Sequence, residues 1–342
     1  MKQRQIYLDN VCGLLIIHMI FICHQPLFCN YTDSAVEFIL KLLSFFMAWF
    51  FFKAGMVYKE RPVKEVVRSS FKRLLVPYMI FSVFGFLIMA LQKLLQGFNP
   101  VSLEFLSEEF WWLVNKETFF PTQACWFLLS LFVVRVAYSF LQSIKFPPYT
   151  IIIVAISLMI AWLVYELSVK NDMYYPLNIG NSTYKMHIPF YIGNMFHGLA
   201  FYTFGAWLKE NQFNRKLFLL ALCFFILKFF YFAFMDFRGN DSEDSNYFLC
   251  IIYELAGCIV VNNVFRNIAN KKIMLLSHIG QNSMIYYLVH YPVMTFIVMF
   301  LNPFPNLSSS IRYFLLSAVL IIILIISDYM FRIKWLKWMI GG

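Results

Sequence analysis

Two histidines stand six residues apart in the first apolar run of the chain. His18 and His24 interrupt a stretch that is otherwise apolar from Leu14 to Cys23. An ionisable group inside a membrane-spanning helix costs on the order of several kcal/mol unless it faces a cavity or a partner, so it is a candidate functional residue. Neutral imidazole is well suited to take a proton from a hydroxyl at physiological pH. Six positions of an ideal helix set the rings about 120° apart, so we expect one ring to be reactive and the other to be a structural hydrogen-bonding group.

The sequence lacks the motifs that are typical of several other enzyme classes. The chain contains no His-Glu-x-x-His pair, no nucleophile elbow and no glycine-rich phosphate loop, which argues against a protease, a hydrolase or an ATPase. Its seven cysteines form no Cys-x-x-Cys pair, and we predict no metal site. Five of them lie in or at the edges of apolar runs, and we interpret these five as small buried apolar residues: Cys12, Cys23, Cys125, Cys223 and Cys258. The chemistry that remains is direct transfer of a group onto an acceptor hydroxyl.

The composition indicates that these histidines lie in a bilayer. Of 342 residues, 61% are hydrophobic and 13% are charged, and this charged fraction is about half of the globular average. A soluble chain of this length would need more polar side chains to coat its domains. The same numbers exclude disordered chains and disulfide-rich secreted scaffolds. We therefore predict an all-α, polytopic integral membrane protein with a single transmembrane domain over residues 1–342.

Ten apolar runs are long enough, at about 20 residues each, to cross the hydrocarbon core. They cover residues 11–28, 36–57, 74–96, 125–143, 149–168, 188–208, 217–235, 247–265, 280–301 and 311–331. No small-residue cleavage site follows the first run, so we interpret it as a retained helix and not as a signal peptide.

The charges of the connecting loops orient these spans. With the N-terminus in the cytoplasm, the inside segments carry 18 of the 28 basic residues and the outside loops carry five. This bias satisfies the positive-inside rule and places both termini in the cytoplasm. The net charge of +10, from 28 basic and 18 acidic residues, is explained by loops at anionic lipid headgroups, and we predict no nucleic-acid partner. The largest outside loop, residues 97–124, is either an interfacial amphipathic stretch or a partial lid.

Six short motifs follow one another along the chain. They are Arg4–Ile16, Phe51–Met56, Lys72–Tyr78, Trp126–Leu128, Phe204–Gly205 and Ile279–His290. Each is weak alone, but in this order and on ten predicted helices they resemble membrane acyltransferase family 3, which includes the sugar O-acetyltransferases of bacterial surface polysaccharides. The last motif closely resembles the Gly-x-Asn-Ser block of the family and the Tyr and His that follow it.

The resemblance implies acyl transfer at the bacterial inner membrane. The donor would be cytoplasmic acyl-CoA, most often acetyl-CoA, and the acceptor would be a hydroxyl of a glycan or glycolipid at the outer face. The resemblance also implies that a histidine of the first helix is the general base, with Asp9 in the same opening motif. The family usually has a basic residue and then, after ten further residues, a histidine. Here Cys12 occupies the basic position, Cys23 lies eleven positions later, and His24 is one place beyond it. His24 is therefore the nearer match, and His18 is the alternative.

Basic residues near the predicted inner face would attract the phosphates of CoA by Coulomb steering. The residues assigned to donor binding are Lys53, Lys72, Arg73 and Arg135. Ordinary topology signalling is the alternative role for those in loops.

A second set of polar and aromatic residues is assigned to the substrate. The assigned residues are Trp126, Asn282, Ser283 and His290. Arg135 and the amide of Asn282 or Ser283 are candidates to stabilise an oxyanion, and His290 is either a wall of the acyl tunnel or a helix–helix hydrogen-bonding group. We expect acyl-CoA, the acceptor and membrane lipids as partners, and homo-oligomerisation is left open.

A transporter or flippase for a lipid-linked or polysaccharide substrate is the competing class. It would use the same buried charges as a substrate path without acyl chemistry. It would also predict helices broken by Gly or Pro in paired halves, a pattern that we do not find in the sequence. A sensor or assembly subunit is a third interpretation.

Overall fold

The computed structural model describes residues 5–116, 119–143, 150–167, 173–179, 182–187, 190–209, 211–231, 247–268, 271–301 and 306–342. Most of these residues are helical. The helices are α1 (Ile6–Cys29), α2 (Ser34–Met56), α3 (Val63–Leu95), α4 (Leu103–Lys116), α5 (Pro121–Ser143), α6 (Thr150–Tyr165), α7 (Phe190–Leu208), α8 (Arg215–Tyr231), α9 (Tyr247–Ile268), α10 (Met274–Gln281), α11 (Ser283–Leu301) and α12 (Ser309–Met330).

Seven helices in the described ranges are long and apolar enough to cross a membrane. They are α1, α2, α3, α5, α9, α11 and α12, and each coincides with one of the predicted spans. The shorter α6, together with α7 and α8, falls on predicted spans that lie partly outside the described residues. The described part of the chain is therefore a largely helical integral membrane protein, while the count of ten spans and the cytoplasmic termini stay predictions.

One short hairpin departs from the all-α expectation. Strand β1 (Tyr174–Ile179) pairs antiparallel with β2 (Ser182–His187), with Tyr174 opposite His187. Tyrosine, threonine and isoleucine in these strands favour extended backbone. The hairpin lies between α6 and α7 in a connection that the hydropathy pattern treats only as a loop.

The chain divides into two compact units that are not continuous in sequence. The first comprises Met1–Lys59, Ala200–Tyr287 and Leu301–Ile322, and the second comprises Glu60–Leu199, Leu288–Phe300 and Ile323–Gly342. Helices α7, α11 and α12 are shared between the two units for this reason. The prediction of a single domain over the whole chain stays a prediction.

Glycine pairs set the close helix crossings of the first unit. A Cβ on Gly13 of α1 would overlap the carbonyl of Leu276, and a Cβ on Gly280 of α10 would overlap the carbonyl of Asp9. Gly55 of α2 and Gly205 of α7 meet the facing backbones in the same way. These helices therefore touch backbone to backbone, which only residues without a side chain allow.

In the second unit, α3 is the element on which others pack. Its first part contacts α5, and the 3-10 turn at Phe120–Cys125 packs further along it, where Gly85 faces the Thr122 side chain. Helix α4 packs against β2, since the indole Nε1 of Trp111 donates to the carbonyl of Lys185 at 2.8 Å.

Candidate active site

Helix α1 leaves α-helical geometry where the two histidines lie. Residues His18–His24 form a π-helical stretch, and α-helix resumes at Gln25. A π turn closes its hydrogen bond over five residues and not four, so the 120° offset of an ideal helix does not apply here. Such stretches often occur at functional sites. The predicted histidines are the first and last residues of this one.

His18 is enclosed by its own unit. Its relative exposure is 2%, and its Nε2 lies 3.2 Å from the Sγ of Cys23. The ring meets Phe46 of α2 edge to face, with centroids 5.3 Å apart. Its Nδ1 is buried and has no hydrogen-bond partner among the described residues. A contact within α1 and a contact with α2 therefore enclose this imidazole.

His24 is partly exposed and lies next to a firmly held residue. The Nε2 of the buried Gln25 donates to the carbonyl of Tyr313 at 2.6 Å and to the Oγ of Ser317 at 2.5 Å. The hydroxyl of Tyr313 in turn donates to the carbonyl of Phe21 at 2.9 Å. Helix α12 thus forms hydrogen bonds at the end of the π-helical stretch, and these bonds fix the backbone that carries His24.

Asp9 is buried at the crossing of α1 and α10. The Nε2 of Gln281 donates to its Oδ2 at 3.3 Å. Next to it, the Nδ2 of Asn10 donates to the carbonyl of Lys271 at 2.9 Å. Asp9 precedes His18 by nine positions, which is about 13 Å along a helix. These contacts indicate a helix-packing role for Asp9, and its catalytic role stays a prediction.

Three further predicted residues belong to the first unit. Asn282 is half-buried and directly follows the last residue of α10. Its Nδ2 donates to the carbonyl of His278 at 3.0 Å. Ser283 follows as the first residue of α11 and is also half-buried. The Nζ of Lys53 lies 5.3 Å from the ring centroid of Trp49. The first unit therefore holds six of the predicted site residues.

The other five belong to the second unit. Lys72 and Arg73 are exposed within a second π-helical stretch, Phe71–Leu75. This stretch packs against α5, which carries the half-buried Arg135. Three basic residues of the predicted donor site are thus on two elements in contact.

His290 and Trp126 are both buried in the second unit. The hydroxyl of Tyr291 donates to the Oε1 of Gln123 at 2.9 Å. This bond joins the helix that carries His290 to the turn that precedes Trp126. The two residues therefore lie on elements that are linked directly, and their role in substrate binding stays a prediction.

Comparison with known families decides the class of this helical assembly. Residues 5–328 match the family model described as an acyltransferase domain, family 3. The chain belongs to membrane acyltransferase family 3. The match covers nearly the whole chain, so the resemblance seen in the six motifs is confirmed. No curated protein and no solved structure matches the sequence.

The structure of this acyltransferase-family protein also reveals a buried amide cluster that the sequence reasoning missed. The Nδ2 of Asn262 donates to the Oε1 of Gln212 at 3.0 Å, and the Oδ1 of Asn262 accepts from Trp49 at 2.9 Å. Asn263 donates to the Gln212 carbonyl at 2.7 Å. In the sequence, the signal for this cluster was the pair of adjacent asparagines inside an apolar run. Because the amides bond to one another, the cluster joins α2, α9 and the turn at Asn211–Phe213.

Proposed function

We propose that this protein transfers an acyl group, most simply acetyl, from cytoplasmic acyl-CoA to a hydroxyl of a glycan or glycolipid at the outer face of a bacterial inner membrane. Membership in an acyltransferase family supports the reaction type. The observation that carries the proposal is the π-helical stretch of α1, whose two ends are histidines. A helix distorted at two imidazoles is a suitable place for proton transfer inside an apolar span.

His24 is the proposed general base. It is the more accessible of the two rings, and α12 fixes the adjacent backbone through Gln25. The imidazole takes the proton of the acceptor hydroxyl while that oxygen attacks the thioester carbonyl. The carbon–sulfur bond then breaks, and the departing CoA thiolate takes up a proton from the imidazolium. The products are the ester and free CoA, and the histidine returns to its neutral form.

The donor is proposed to bind at basic residues of α3 and α5, two helices that contact each other. Lys72 and Arg73 are exposed and suit the phosphates of CoA, while Arg135 is half-buried and suits the reacting end of the donor. Arginine binds phosphate and oxyanion oxygens with charge-assisted hydrogen bonds. One N–H of Asn282 is used by its own helix, so the Ser283 hydroxyl and the second N–H of that amide are further proposed donors to the oxyanion.

The test combines donor binding with transfer. Purified protein should be stabilised against heat by acetyl-CoA and less so by dephospho-CoA, which lacks one phosphate. Membranes that contain the protein should incorporate label from radioactive acetyl-CoA into a glycan or lipid fraction, and membranes with His24→Ala should not. Absence of both stabilisation and incorporation would contradict the proposal and favour the transporter.

A further inference from the structure

Helix α4, in the largest predicted outside loop, contains a buried carboxyl group. Glu109 has a relative exposure of 2%, and neither of its carboxyl oxygens has a hydrogen-bond partner among the described residues. An ionised carboxylate in such a place is strongly disfavoured, whereas the protonated acid is tolerated far better. Because both oxygens are closed off from solvent, we expect the Glu109 carboxyl group to be protonated when α4 is packed.

Among the described residues, two contacts on either side of Glu109 attach α4 to its neighbours. Phe105, one turn before Glu109, packs against Phe86 of α3 with ring centroids 5.8 Å apart. At the other end, Trp111 donates to the Lys185 carbonyl of β2. Glu109 lies between these contacts in the sequence. Ionisation of Glu109 is therefore expected to weaken the packing of α4 as a whole.

The charges around Glu109 come from three elements. On α4 itself, Glu108 is adjacent and Glu104 is exposed, and on α3 the Nζ of Lys93 lies 3.6 Å from the Oε2 of Glu108. On the hairpin, Lys185 places its Nζ 4.3 Å from the ring centroid of Tyr174. The side chain of His187 on β2 lies outside the described residues.

These surroundings favour the neutral acid. The pKa of Glu109 is raised from 4.5 to about 7, chiefly by burial; the charge of Glu108 also raises this pKa and the charge of Lys93 lowers it. The pKa in the packed state therefore lies above that of a solvated carboxyl, which means that the packed state binds the proton more tightly.

We propose that α4 is a proton-controlled strap, held against α3 and the hairpin when Glu109 is protonated and released when Glu109 ionises. Packing of α4 is strongest below the ordinary carboxyl pKa of 4.5 and weakens as the pH rises from there to about 7, because over that range the released carboxyl is ionised while the packed one keeps its proton. The strap rests on contacts within the second unit, and it holds whether or not the acyl-transfer proposal is correct.

Hydrogen exchange of the full-length protein tests the strap. The protection of residues 103–116, corrected for the intrinsic chemical rate, should fall about tenfold between pH 6 and pH 8, because the released carboxyl is ionised over this range while the packed one holds its proton up to a pKa of about 7. The variant Glu109→Gln keeps the shape and removes the charge, so its protection should not change with pH. The control Glu104→Gln, at an exposed position of the same helix, should behave like the wild type.

Two further variants keep the test decisive. Lys93→Met removes the opposing positive charge, so the midpoint of the transition should move to higher pH. His187→Gln should leave the transition unchanged. The proposal is wrong if Glu109→Gln retains the tenfold change, if His187→Gln abolishes it, or if Lys93→Met leaves the midpoint in place.

Discussion

The two histidines of α1 have similar sequence contexts but different surroundings. His18 is enclosed by Cys23 and Phe46, whereas His24 is partly exposed. A general base must approach the acceptor hydroxyl to about 3 Å. The accessible ring meets that requirement more easily, and the enclosed ring is suited to packing.

Replacing His24 by alanine should lower acyl transfer by about 10²-fold to 10⁴-fold, the usual effect of losing a general base. The melting temperature should change little, because His24 is partly exposed. His18→Ala should reduce transfer less but lower the melting temperature, since it leaves a cavity beside Phe46. Transfer from labelled acetyl-CoA and heating followed by fluorescence-detected chromatography measure the two effects.

The opposite pattern would exchange the two roles. If His24→Ala retained nearly full transfer while His18→Ala was folded and inactive, His18 would be the base. If both variants remained active, α1 would not be the catalytic helix.

Arg135 is the half-buried member of the proposed donor site. Arg135→Leu should weaken acetyl-CoA binding about tenfold or more, because a hydrogen bond to a charged group contributes about 1.5–3 kcal/mol. Arg61→Leu, at an exposed residue before α3, is the matched control and should bind normally. Titration with acetyl-CoA measures both. Unchanged affinity and turnover in Arg135→Leu would leave Arg135 with a structural role.

At the scale of elements, the crossing of α1 and α10 places the opening motif of the family against its closing motif. Gly13 and Gly280 bring the two backbones into contact, and Gln281 bonds to Asp9 across the crossing. Packing thus explains why glycine occupies both positions of this pair. The α-helical segment that makes this crossing ends at Ile17, and the π-helical stretch begins at the next residue, His18.

Gly280→Ala should destabilise the protein by about 1–3 kcal/mol or more, because the added Cβ meets the Asp9 carbonyl and a backbone cannot rotate away. Gly193→Ala is the matched control, since the nearest atom to its added Cβ is a side-chain methyl of Val164 at 3.2 Å and not a backbone carbonyl. Thermal unfolding should show a clearly lower melting temperature for the first variant. Equal melting temperatures for the two variants would contradict the close crossing.

At the scale of the whole molecule, the distribution of basic residues predicts ten spans with both termini in the cytoplasm. A reporter that is active only outside the cytoplasm should be inactive when fused after residue 60 and active when fused after residue 98. These positions flank α3, whose helical length of 33 residues is ample for one crossing. Activity of the fusion at residue 60 would invert the orientation.

The sequence by itself determined the membrane class, the seven long spans and the family. Apolar burial in a bilayer depends on the composition of each run alone, so hydropathy and short motifs were enough. The candidate residues were also visible, because an ionisable group in an apolar run is conspicuous.

Only the tertiary structure decided how those residues differ. Gln25 bonds to Tyr313 and Ser317, which are nearly 300 positions away in the chain, and His18 is enclosed partly by Phe46 of another helix. The burial of Glu109 depends in the same way on packing around α4. Such contacts join residues that are distant in sequence, and no local pattern encodes which side chain ends up without a partner or which one remains accessible.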